Sequence, residues 1–156
     1  MSPVPPPAPQ GPTRTRITNL HEGLLREVTA DHGGRGTILA HRAYRREDAP
    51  AGIAFIDLVV LPPCTSIGLH RHGDDQETYV ILSGRGRMTV DGEEFEVRDG
   101  DVVPNRPYGE HGLVNDSDAE LRLLVFEIGP FGEGPLGDGD GDSPLAAGPG
   151  PLDGSR

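Results

Sequence analysis

His70 and His72 open the stretch of this sequence whose residue types can do chemistry. On a β-strand, side chains two residues apart leave the same face, so both imidazoles reach one point; on a helix they would splay. Glu77 follows the polar turn Gly73-Asp74-Asp75-Gln76 at the start of the next strand, from which its carboxylate can return to that point. His111 joins from a strand distant in sequence. Three neutral imidazoles and one carboxylate suit iron(II), manganese, nickel, copper or zinc, and not calcium or magnesium. On an octahedral ion, four protein ligands leave two positions open for a substrate, as catalytic metal centres require.

Other side chains could complete such a site. Tyr79 shares the face of Glu77, where it either lines a pocket and donates a hydrogen bond or packs as a core tyrosine. Arg106 and Tyr108 lie in the loop before His111; there a guanidinium could clamp a substrate carboxylate, or simply be solvated. His41 falls on an early strand, with the cavity as one of its two faces. Asp57 interrupts an apolar run, which is costly unless the carboxylate is paired. Either is a substrate contact or a hydrogen-bonded structural group. Cys64 precedes the ligand strand as a potential ligand or a small buried hydrophobe. His21 and His32 sit in polar surroundings and are expected to be exposed.

These residues need strands to position them. Short apolar or alternating runs at 36–41, 53–61, 67–72, 77–82, 87–90, 94–98, 101–103, 111–114 and 120–128 are bounded by Gly, Pro, Asp or Asn, and helical periodicity is hard to find. Asp91-Gly92, between two alternating runs, predicts a two-residue type I′ hairpin. Ser83-Gly84-Arg85-Gly86 supplies a second turn. Regular short strands predict an all-β sandwich or barrel. Residues 1–13 contain six prolines and no charged side chain, and half of residues 129–156 are Gly or Pro, with a Gly-Asp repeat over 137–142. Such segments bury too little apolar area to offset the entropy of ordering, so a disordered arm at 1–13 and tail at 130–156 are expected around one domain at 14–129.

The 156-residue chain carries 23 Gly, 16 Pro and only 4% aromatic residues. That composition favours strands and tight turns over a helical bundle. A net charge of −11 argues against a nucleic-acid partner, because phosphate binding needs clustered basic side chains. All 14 basic residues are arginines. A single cysteine excludes an intrachain disulfide framework, and no apolar run has the length of a membrane helix. The expectation is a cytoplasmic protein with a small-molecule substrate and neither nucleic-acid nor membrane partners.

The pattern His70-Arg-His72, four residues, Glu77, six residues, Gly84 resembles the first motif of the cupin superfamily. Gly100-Asp101, Pro107, Gly109, His111 and Asn115 resemble the second. Cys64 stands where that family usually has Gly, and Pro107 and Gly109 fall one position late. The resemblance covers about residues 53–128. It implies a double-stranded β-helix, or jelly roll, with one divalent transition metal (Fe, Mn, Zn or Ni) inside the barrel on His70, His72, Glu77 and His111, and frequent homodimerisation. The function it implies is that of a metalloenzyme acting on a small metabolite, a dioxygenase or a non-redox isomerase or lyase of bacterial metabolism. Tyr79 and Tyr108 would then be catalytic, and Arg106, His41 and Asp57 substrate contacts. The alternative is a binding or sensing module whose metal is structural.

Overall fold

A computed structural model describes Leu20, residues 22–45 and residues 52–129. The expected arm, the expected tail and His21 lie outside the described residues. Among the described residues, ten strands form two antiparallel sheets: β1 (Arg26–Thr29), β2 (Thr37–Arg45), β3 (Ile53–Leu61), β4 (Ser66–Arg71), β5 (Gln76–Ser83), β6 (Arg85–Val90), β7 (Glu93–Arg98), β8 (Val102–Asn105), β9 (Glu110–Val114) and β10 (Leu121–Ile128). The larger sheet runs β1-β2-β3-β10-β5-β8 and the smaller β4-β9-β6-β7. Among the described residues, helix is confined to two single 3-10 turns, Glu22–Leu24 and Asp31–Gly33.

Strand alternation explains the core. Along β10, Leu121, Leu123 and Val125 are buried while the residues between them are only half-buried. They meet Phe55, Val59 and Leu61 of β3, Tyr79 and Ile81 of β5, and Met88 and Leu113 from the smaller sheet. Each such side chain, removed from water, contributes about 1.5–3 kcal/mol against the entropy of ordering the chain. The two sheets therefore close on each other as the double-stranded β-helix expected from the motifs.

The Asp91-Gly92 hairpin forms as expected, with φ of 47° and 85° and Val90 opposite Glu93. Both values lie in the left-handed region that a type I′ turn demands. Asn115 closes the chain between β9 and β10. Its Nδ2 donates to Leu61 O at 2.9 Å and Ala119 O at 2.7 Å, and its Oδ1 accepts from Ser117 N and Oγ. Cys64, with φ of 65°, is exposed and not the buried hydrophobe of the plainer expectation. It sits in the sharp turn after Pro62 and Pro63, where the backbone directs its side chain outward. No described helix is long and apolar enough to cross a membrane.

Candidate metal centre

β4 and β9 are paired so that His70 lies opposite His111. His72 stands just past the end of β4, where its N–H donates to Gly109 O at 2.9 Å and keeps its ring on the side of His70. Glu77 enters from β5 in the facing sheet, opposite Asn105 of β8. The three imidazoles and the carboxylate converge. His111 Nε2 is 3.2 Å from both His70 Nε2 and His72 Nε2, and Glu77 Oε2 and Oε1 lie 3.1 Å from His72 Nε2 and 3.7 Å from His111 Nε2. All four can offer one ligand atom within 4.8 Å of each other.

The opposite sides of two rings fix which nitrogen faces inward. His70 Nδ1 is 2.7 Å from Gly68 O, a partner that can only accept, so Nδ1 carries the proton and Nε2 offers a lone pair. His72 Nδ1 donates in the same way to Asp75 Oδ2 at 2.6 Å, with Glu127 Oε2 3.7 Å away. Imidazole with one nitrogen bound to a carbonyl or carboxylate is the usual state of a metal-ligating histidine. His111 is fully buried and its Nδ1 has no hydrogen-bond partner among the described residues.

The electrostatics favour a cation at the convergence point. Burial alone would raise the Glu77 carboxyl, but its hydrogen bond to His72 and the neighbouring imidazoles outweigh that and hold it at about 2. Burial would lower His72, yet the carboxylates of Asp75 and Glu77 lift it to about 10, so the site draws positive charge to that ring. Burial pushes His111 down to about 3 and also lowers His70, next through the adjacent His32. Two imidazoles that resist protonation, a third that attracts positive charge and a carboxylate that stays ionised fit a divalent ion. Two ligands at right angles about 2.1 Å from a shared ion stand about 3.0 Å apart, close to the spacing of these nitrogens.

The remaining sequence-derived candidates distribute differently. Tyr79 is buried, with its ring 4.7 Å from that of His111, so it packs on a candidate ligand within the core cluster. Asp57 faces into the barrel, where Arg42 Nε and Nη2 donate to its two carboxylate oxygens at 2.9 and 3.0 Å. His41 does not enter the cavity: it is opposite Leu58 and alternates with Ala40 and Arg42, so Arg42 takes the inward place. Arg106 and Tyr108 lie on the exposed loop before β9, Tyr108 being 64% accessible with a φ of 61°.

Sequence reasoning passed over Asp75, Glu127, Arg42 and His32. Glu127 could have been found, because it continues the inward phase of Leu121, Leu123 and Val125. His32, expected to be exposed, is instead stacked on His70 with ring centroids 3.8 Å apart.

A ten-strand double-stranded β-helix with three histidines and a glutamate converging inside it defines a class of metal-binding barrel. The family model described as a cupin domain matches residues 57–127, so that stretch of the chain carries a cupin domain. An uncharacterised protein of Methanocaldococcus jannaschii is 36% identical over 72 residues, 46% of this chain and 58% of that protein, so the match spans little more than half of the relative. An oxalate-binding protein of Thermotoga maritima is 28% identical over 96 residues, 62% of this chain and 79% of its own. Among solved structures, a predicted oxalate decarboxylase from Thermotoga maritima superposes with a TM-score of 0.69 at 25% identity, covering 72% of this chain and 98% of the other. A cupin 2 conserved barrel protein from Salinispora arenicola gives 0.58 at 25% identity over 75% and 91%.

Proposed function

We propose that the chain is a metal-dependent cupin that holds one divalent transition metal on His70, His72, Glu77 and His111 and acts on a small oxygen-donor metabolite, a dicarboxylate foremost. The observation that carries this reading is the meeting of three Nε2 atoms, two with their Nδ1 already engaged, beside an ionised buried carboxylate. Nitrogens and a carboxylate oxygen this close can share one cation, and a divalent ion there takes the place of the proton that His72 otherwise holds. The dicarboxylate is supported by the relatives described as oxalate-binding and as a predicted oxalate decarboxylase.

A bound metal of this kind supplies Lewis-acid polarisation of a substrate oxygen. The chain's own groups supply the rest. Asp75 holds the His72 ring by its Nδ1–H, and Gly68 O does the same for His70. Tyr79 and its core neighbours keep water from the inner side of His111. Arg106 and Tyr108, on the loop that leads into His111, serve in this proposal as outer contacts for substrate. The proposal includes a homodimer, because β1 and β8 are the edges of the larger sheet and an open edge invites pairing.

Calorimetric titration of oxalate into metal-loaded and metal-stripped protein tests the reading. Binding that requires the metal, with acetate binding more weakly, is the expected result; no oxalate binding to loaded protein would refute the dicarboxylate class. Following oxalate loss and oxygen uptake in the same samples separates an enzyme from a binding or sensing module. Stoichiometric binding without turnover would favour the module, the reading that the oxalate-binding relative supports.

A further inference from the structure

His32 reaches the site by a costly route. Ala30, His32 and Gly33 have φ of 53°, 47° and 73°, and the first two are non-glycine residues in the left-handed region. Local strain of this kind persists where surrounding structure enforces it. Here β4 enforces it. A Cβ at Gly68 would overlap the carbonyl oxygen of His32, and one at Gly34 would overlap that of Ser66, so both glycines are needed to seat the Asp31–Gly33 turn flat on the strand. Seated there, His32 lies on the His70 ring at 3.8 Å and 17° from parallel, while buried Asp31 accepts from His32 Nδ1 at 2.8 Å. Gly68 also provides the carbonyl that fixes His70 Nδ1.

We infer that His32, held by Asp31, is a positioning residue for the metal centre: its stacked ring fixes the rotation of His70 and thereby sets metal affinity. The inference rests on the metal-centre reading above for its affinity arm alone. Two planar rings in contact leave the lower one no room to turn about χ2, so His70 keeps Nε2 aimed at His111 before any ion arrives. Loss of the stack frees that ring, and partners that orient a ligand in this way are typically worth 10–100-fold in metal affinity.

The test compares wild type, His32→Ala and His32→Phe. Ring 15N spectra of the metal-free proteins report the His70 tautomer, and cobalt(II) titrations followed by visible absorption report affinity and ligand field. In wild type His70 should show the Nδ1–H tautomer alone. His32→Ala should average it, weaken cobalt(II) binding 10–100-fold and alter the visible bands, and His32→Phe, which restores a flat ring, should recover all three. An unchanged tautomer and affinity in His32→Ala would overturn the inference, as would losses that His32→Phe fails to recover. If His32→Ala does not fold, Asp31→Asn decides by the same readouts, with partial averaging expected and none contradicting. Wild type that binds no cobalt(II) would sink the metal-centre reading, while the tautomer comparison would still judge the stack.

Discussion

Asp57 and Arg42 show how burial and pairing compete inside the barrel. Burial raises the Asp57 carboxyl, the two hydrogen bonds and charge of Arg42 oppose it, and the balance leaves it at about 6, above its ordinary 3.8. A folded-state value above the unfolded one means that the native protein holds the proton more tightly, so this group's contribution is full below pH 4 and is lost as pH rises through 6. About two pH units amount to roughly 3 kcal/mol. Asp57→Asn, which does not titrate, should therefore gain about that much on wild type between pH 4 and pH 7 in urea unfolding; a gap that moves the other way would show that the Arg42 pair outweighs burial. The sequence made Asp57 legible as a buried polar residue in need of a partner. It did not make Arg42 legible, because Leu39, His41 and Ala43 on one face of β2 are no less apolar than Ile38, Ala40 and Arg42 on the other, and the bulge between Arg42 and Tyr44 blurs the phase further. The four clustered residues were legible because period-two spacing and a motif carry them; Asp75 was not, since an acidic turn reads the same whether solvated or bound to an imidazole.

At the scale of elements, two glycines do different work. Gly92 has open space around it and needs only its positive φ, so Gly92→Ala should cost about 1–2 kcal/mol through strain alone. Gly68 has an ordinary φ but no room for a side chain against the Asp31–Gly33 turn. Gly68→Ala must lift that turn from β4, and a loss of about 1–3 kcal/mol is expected, together with weakened metal binding that Gly92→Ala should not show. Equal metal affinity in the two variants would contradict the coupling of the turn to the site. Most strands announce themselves by alternation and turn residues, to within a residue or two. β1 was missed because its four residues, Arg-Glu-Val-Thr, bury only Val28, too little for a pattern. The His32 turn was missed because left-handed backbone at Ala30 and His32 is imposed by contact with β4, a long-range cause that local sequence does not carry.

For the whole molecule, metal and fold are linked if the ion binds only the native barrel. Ion at 100 times its dissociation constant adds about 2.7 kcal/mol, so chelation should lower the melting midpoint by several degrees. An unchanged midpoint after demonstrated removal of the ion would deny the link. The domain expected at 14–129 makes a second prediction: deleting residues 1–13 and 131–156 should leave the midpoint and metal content as they are, and loss of folded protein would show that those segments pack on the barrel. The central claim is tested most directly by the metal content of protein purified without a metal-binding tag, in wild type, His70→Ala and His111→Ala. About one equivalent of a divalent transition metal in wild type, lost in both variants while they remain folded, is the predicted result; wild type that holds no metal even after reconstitution, or variants that keep it, would contradict the account.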